Sequence, residues 1–261
     1  MNFGDIKAVI ADMDGVLWRG DVPLPGLIDF FEMLRARGIP FALATNNSAK
    51  SPADYVAKLG RMGVLNVSEE QIITSGTATV SYMQTRYPAG TRVYVLGGDG
   101  LSAILTEAGY TVSEDGADVV MVGFAPNLTY ERLKKATLLI RAGADFIGTN
   151  PDPSIPTPEG LAPGAGSIIA AVQTASDATP VIIGKPHAPM FQAALRLLRT
   201  LPEATLMIGD RLTTDIAGAQ QVGLRTALVL TGVTTREELA ASAIKPDGVY
   251  EDLKALIAAW K

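Results

Sequence analysis

Short apolar runs alternate with stretches of helical periodicity along nearly the whole chain. Residues 7–11 (KAVIA) are too few for a helix and lead into polar residues, which predicts a strand buried on both faces. Residues 26–37 follow with Leu27, Phe30, Phe31 and Leu34 at helical spacing and Gly38 as a stop. Residues 41–44 predict a second buried strand, and Ser51-Pro52 supplies an N-cap and a first-turn proline for a helix through Leu59. Ser68 and Gln71 have capping-box spacing, but the apolar run after them is too brief to predict a helix. Further strands are expected at 92–96, 118–124, 145–148, 180–183, 205–208 and 226–230. Helices are expected at 130–141, 188–199 and 215–222, with a closing helix over 250–260. Strands alternating with helices indicate an α/β fold on a doubly wound parallel sheet.

Residues 82–179 carry their own strand–helix alternation and lie between two candidate site motifs. An inserted α/β domain is the simplest explanation, with residues 1–81 and 180–261 forming the surrounding core. The 261 residues are 48% apolar and 19% charged, a globular composition. A net charge of −5 argues against a broad nucleic-acid or anionic-membrane surface, so an anionic substrate needs a local positive site. The absence of cysteine excludes disulfides and thiolate chemistry. The first residues lack the basic segment and long apolar run of a signal peptide, and no apolar stretch approaches the ~20 residues that span a bilayer. The expectation is a cytoplasmic protein with neither a nucleic-acid polymer nor a membrane as partner.

In open α/β sheets, ligands sit beyond the carboxyl ends of the strands, so the residues that follow each strand carry the chemistry. They are Asp12-Met13-Asp14-Gly15, Thr45-Asn46-Asn47-Ser48, Gly184-Lys185-Pro186, and Gly209-Asp210 with Asp215 five residues later. Strand alternation lets Asp12 and Asp14 converge on one side. Carboxylates meeting at one spot repel unless a cation joins them, and oxygen-only ligands without cysteine favour Mg²⁺. Four Asp and one Lys give about −3, which a divalent ion brings near −1. Each piece alone has a plain structural explanation: a turn for the Asp pair, a surface position for Lys185, a helix cap for Asp215. Their joint occurrence after four strands is a phosphate-and-metal inventory. The sole histidine, His187, fits a capping role before a helix at least as well as a proton shuttle. Trp18 fits a half-buried hairpin aromatic better than a gate over the site.

These motifs resemble the haloacid dehalogenase-like phosphatases, most closely the 4-nitrophenylphosphatase/NagD-like branch with its large α/β cap, and the resemblance covers essentially the whole chain. Residues 12–20 look like the first motif and its flap; the Thr45, Lys185 and Asp210–Asp215 segments look like the second, third and fourth. Gly148-Thr149-Asn150-Pro151-Asp152 looks like a cap segment of that branch, while Thr213 stands where relatives often carry Asp. The resemblance implies a Rossmann-like catalytic core and a Mg²⁺-dependent phosphomonoester hydrolase acting on a small phosphorylated metabolite through an aspartyl phosphate. Asp12 would be the nucleophile and Asp14 the general acid and base. Asp12, the Asp14 carbonyl, Asp210 and Asp215 would serve the metal, and Thr45, the Asn46 amide and Lys185 the phosphoryl oxygens. In the cap, Asn150 and Asp152 are the candidate substrate-binding residues, in the Pro-rich segment 150–161 that is either the place of leaving-group contacts or a rigid structural turn, and a homodimer is implied because caps of this branch often mediate dimers. The same phospho-aspartate could serve a phosphotransferase or phosphomutase, and a non-catalytic phosphate-ligand binder is the remaining alternative.

Overall fold

The computed structural model describes residues 2–47, 50–157 and 159–260, so Ser48 of the second motif lies outside the described residues. The chain falls into two compact units: Met1–Thr45, Lys50–Thr74 and Lys185–Lys261 form the first, and Asn46–Ala49 with Ser75–Gly184 form the second.

The first unit is built on a six-stranded sheet. From edge to edge the strands are Gly248–Tyr250, Arg225–Val229, Thr205–Gly209, Ala8–Ala11, Phe41–Thr45 and Ile72–Thr74. Every neighbouring pair is parallel. The two central strands register Ala8 on Thr205 and Ala11 on Ile208, and the Asp12 amide continues the ladder by donating to the Ile208 carbonyl at 2.9 Å. Residues 8–11 are buried throughout, as expected of a parallel strand covered on both faces. The helix Leu27–Ala36 turns Leu27, Phe30, Phe31 and Leu34 into the core. Burial of each such side chain contributes roughly 1.5–3 kcal/mol relative to exposure. Gly26 and Gly38 flank it at φ 90° and 63°, the left-handed region that glycine enters without a Cβ clash.

The second unit has a five-stranded sheet in the order Val181–Ile182, Asp145–Gly148, Val119–Val122, Arg92–Leu96, Thr111–Val112, again wholly parallel. An antiparallel pair, Ser154–Thr157 with Gly160–Pro163, is added. Its core packs Tyr94, Leu96, Val120 and Phe146 with Ile168, Ile169 and Val172 of the helix Ala165–Ser176. The two parallel sheets with connecting helices bear out the α/β expectation.

Several local expectations are corrected. Residues 250–260 are not one helix: Tyr250 ends an edge strand, and the Asp252 side chain accepts from the Ala255 amide at 2.8 Å, starting the helix only at Leu253. The expected helix over 215–222 begins earlier, as a π-helical turn over Leu212–Ile216 that passes into Ala217–Gln221. Ser68 and Gln71 do form a capping box, but over a single 3₁₀ turn. Ser51 caps the helix Pro52–Arg61 as expected, with Asp54 completing a capping box.

Candidate active site

Two of the expected strand ends, and the turn that follows one of them, meet in the first unit. Asp12 follows Ala11, Asp210 follows Gly209 on the adjacent strand, and Asp215 sits in the π-helical turn. Each offers a carboxylate oxygen, and the three lie within 4.8 Å of one another. Lys185 enters the same spot, its Nζ 2.5 Å from Asp12 Oδ1 and 2.7 Å from Asp215 Oδ1, and it donates to the Ala44 carbonyl at 3.0 Å. All four residues are buried.

Three buried carboxylates against one ammonium leave excess negative charge. Burial raises the Asp12 carboxyl, Lys185 pulls it back down, and Asp215 and Asp210 push it up again, leaving it at about 8. Burial also raises Asp210, to about 6, with the charge of Asp215 adding to it and the Val233 amide opposing. Burial would lower the Lys185 ammonium, but the charges of Asp12 and Asp215 more than reverse this and hold it above its usual value.

The surroundings of Asp210 suit a cation. Its Oδ2 accepts from the Val233 amide at 2.7 Å, while its buried Oδ1 has no hydrogen-bond partner. A buried carboxylate oxygen without a partner is costly in a free site and natural in a metal ligand. Gly15 and Gly232 make room for this carboxylate: a Cβ on either would collide with Asp210 Oδ2. Thr231 Oγ1 ties the two segments together by donating to the Gly15 carbonyl at 2.5 Å.

Asp215 is more than the helix cap read from sequence. Its Oδ2 accepts from the Arg211 amide at 3.1 Å while Oδ1 pairs with Lys185, and the side chain is 1% exposed. His187 occupies the position before Ala188–Leu198 but makes no side-chain capping bond there; Pro189 in the first turn leaves fewer amides to cap. Thr45, at the end of its strand, is buried. Burial pushes the nearby Tyr55 phenol well above its usual value, with Asp14's charge adding to this and the Thr45 hydroxyl opposing.

Asp14 does not join the carboxylate cluster with its side chain. It is exposed, and its Oδ1 accepts from the Trp18 indole Nε1 at 2.9 Å. Trp18 lies in the expected hairpin, Trp18–Arg19 with Val22–Pro23, but is fully buried rather than half-buried. Lys58 sits over its ring, Nζ 4.3 Å from the centroid, and donates to the Gly20 carbonyl at 2.7 Å. Burial lowers the Lys58 ammonium, and the charges of Asp14 and Asp21 counteract this.

In the second unit, Asn46 joins the two expected cap residues. Asn46 Nδ2 donates to Asp152 Oδ1 at 3.2 Å, Asn150 Nδ2 donates to the Asn46 carbonyl at 3.0 Å, and Asn150 Oδ1 accepts from the Asp152 amide at 3.2 Å. Asn150 is buried and Asp152 half-buried.

Comparison with known proteins places this geometry. A model of the haloacid dehalogenase-like hydrolases matches residues 9–111, and a second, HAD-hydrolase-like model matches residues 182–256. The chain is 39% identical over 253 residues to an acid sugar phosphatase of Staphylococcus aureus (strain USA300), covering 97% of each protein. The chain belongs to the haloacid dehalogenase-like hydrolases. Among solved structures of this family, a 4-nitrophenylphosphatase from Thermotoga maritima superposes with a TM-score of 0.92 at 38% identity, over 99% of each chain. NagD from E. coli K-12 gives 0.88 at 32% identity, over 97% of this chain and 98% of that one. A glycerol phosphate phosphatase from Mycobacterium tuberculosis, solved in complex with magnesium, gives 0.86 at 30% identity, over 97% of this chain and 77% of that one. The branch read from the motifs is thereby met, and with it the enzyme class: a phosphatase.

Sequence reasoning missed the Thr231–Val233 segment, Trp18's bond to Asp14, and Lys58. The glycine of Thr231-Gly232-Val233 directly after a strand was the available signal; nothing local marked Lys58, whose place depends on the hairpin fold.

Proposed function

We propose that this phosphatase hydrolyses phosphomonoesters of small metabolites through an aspartyl phosphate on Asp12, with Mg²⁺ as cofactor. The observation that carries the reading is the buried Asp12–Asp210–Asp215 cluster paired with Lys185, in which Asp210 Oδ1 lacks a partner. Asp12, Asp210 and the Asp14 carbonyl would hold the ion, with Asp215 ordering the surrounding shell. When bound, the ion offsets the carboxylate charge and draws negative charge from the phosphoryl oxygens.

A carboxylate oxygen of Asp12 attacks phosphorus as the ester P–O bond breaks. The leaving oxygen takes that electron pair and a proton from Asp14, giving an alcohol, an acyl phosphate and the Asp14 carboxylate. Asp14 then accepts a proton from the attacking water; the P–O bond to Asp12 breaks with its electrons returning to the carboxylate, and inorganic phosphate leaves. Lys185 holds the nucleophile and balances charge on the phosphoryl group, which Thr45 and the Asn46 amide also bind. Lys185 is already placed against Asp12 and needs no reorganisation for this role.

We assign substrate selection to the second unit, acting as a cap. Asn150 spends its polar atoms on Asn46, Ser75 and Asp152, which suits it to ordering the segment and leaves Asp152 as the better leaving-group contact. The relatives named as an acid sugar phosphatase and a glycerol phosphate phosphatase favour a polyol or sugar phosphate as substrate. Phosphate release from p-nitrophenyl phosphate, with and without Mg²⁺, tests the reading in wild type and Asp12→Asn. Metal-dependent turnover that vanishes in the variant is expected. Turnover that survives Asp12→Asn, or that ignores Mg²⁺ removal, overturns it.

A further inference from the structure

We infer that Trp18 and Lys58 form a positioning pair for Asp14, fixing which of its carboxyl oxygens carries the transferred proton; this rests on the acid–base role proposed above for Asp14. Asp14 is exposed and its side chain stands outside the buried Asp12–Asp210–Asp215 cluster, so an unrestrained side chain would sample several rotamers. Its Oδ1 is held instead by the indole Nε1 at 2.9 Å.

An indole nitrogen only donates. The oxygen it binds must therefore accept, and since the carbonyl oxygen of a carboxyl is a better acceptor than its hydroxyl, the bond favours the proton of the acid form on Oδ2. One hydrogen bond thus fixes the carboxyl's orientation and makes its two oxygens unequal. The general-acid proton is then presented on a defined atom rather than shared between two.

The donor itself is held firmly. Trp18 is completely buried, and its backbone is tied to the same loop: the Gly15 amide donates to the Trp18 carbonyl at 2.7 Å and the Trp18 amide to the Met13 carbonyl at 3.3 Å. Tyr55 stacks beside the indole at 6.3 Å between centroids and 16° between planes. The Lys58 ammonium, 4.3 Å from the ring centroid, is fixed by the Gly20 carbonyl and lies 3.8 Å from Asp21. A cation on the face of the ring draws π density towards itself and leaves the edge N–H more positive, strengthening its bond to Asp14. A buried indole N–H needs an acceptor, and here the acceptor is an exposed carboxylate, so the selectivity of the kinetic effect is what separates positioning from packing.

The test compares two aryl esters of similar shape, p-nitrophenyl phosphate and phenyl phosphate, by kcat/KM in Trp18→Phe, which keeps a ring and removes the N–H. Nitrophenolate departs without a proton, whereas phenolate is more basic and gains from general acid catalysis. Trp18→Phe is expected to lower kcat/KM for phenyl phosphate about five- to tenfold more than for p-nitrophenyl phosphate, part of the ~10²–10⁴-fold that a positioned acid supplies. In an Asp14→Asn background, Trp18→Phe should add no further discrimination. Lys58→Met, which keeps the stem and removes the charge, should show the same selectivity at a smaller factor; it decides the matter if Trp18→Phe does not fold. Equal losses on both esters, or none, overturn the inference and leave Trp18 a packing residue. Failure of the underlying reading has a different signature, since Asp14→Asn would then show no selective loss of kcat/KM for phenyl phosphate.

Discussion

Lys185→Met removes the ammonium that pairs with the carboxylate cluster while keeping most of the side-chain volume. Lys185 pairs with Asp12 at 2.5 Å and Asp215 at 2.7 Å and is 3% exposed, so the variant strands two buried carboxylates. Breaking a buried pair from one side costs about 3–5 kcal/mol. At ~2–4 °C per kcal/mol for a chain of this size, that is a fall of roughly 6–20 °C in Tm. The cost depends on the carboxyls being ionised. Asp12 titrates at about 8 even with Lys185 beside it, and losing the lysine can only raise it further. The Asp12 part of the penalty therefore grows as pH rises past about 8, and near pH 5.5 a proton on Asp12 replaces the missing charge. Thermal melts of metal-free wild type and variant at the two pH values measure the difference. The fall in Tm should be large at the alkaline value and shrink by at least half at the acid one. A pH-independent fall, or no fall at about pH 8.5, would refute the reasoning.

Metal-free wild type should lose stability as pH rises: between the ordinary carboxyl value of 3.8 and the folded-state values of about 8 for Asp12 and about 6 for Asp210, the folded chain holds protons that the unfolded chain releases. Mg²⁺ binds the deprotonated carboxylates, so its addition should raise Tm more near pH 8 than near pH 5.5, which scanning fluorimetry with chelator or Mg²⁺ checks directly. Gly232→Ala places a Cβ on Asp210 Oδ2 and should raise the Mg²⁺ concentration for half-maximal activity about tenfold or more, read from a metal titration of phosphate release. Asp152→Ala should change kcat/KM between polyol and aryl phosphates by several-fold while leaving the Mg²⁺ requirement unchanged, measured by steady-state kinetics on both substrate types.

The strand ends were the legible part of this molecule. Buried runs such as Phe41–Thr45 and Thr205–Gly209 are marked by composition, and the rule that ligands gather at carboxyl ends then selects Asp12, Thr45 and Asp210 without knowledge of the sheet order. The sheet order itself was not legible: Thr205–Gly209 pairs with Ala8–Ala11 across most of the chain, and no local pattern encodes that neighbour. Edge elements also escaped. Ile72–Thr74 is a three-residue strand leading directly into the helix Ser75–Gln84, too short for a periodic signal. Asp215 read as a cap because a helix start explains an acidic residue locally; its pairing with Lys185 exists only once Gly184-Lys185 is folded back beside it. Trp18 was placed in the right hairpin, but its bond to Asp14 and its packing against Tyr55 and Lys58, from the helix Pro52–Arg61, leave no local signal.

The central claim, that Asp12 carries the phosphoryl group, is tested most directly by trapping it. Asp14→Asn should still be phosphorylated by p-nitrophenyl phosphate, whose leaving group needs no proton, but should lose the base for hydrolysis, so the intermediate accumulates. Intact-mass analysis after acid quench, with peptide mapping, reads the outcome. The account predicts one added phosphoryl group, labile to hydroxylamine, on the peptide containing Asp12. A phosphoryl group on another residue, or none while p-nitrophenol is still released, contradicts it.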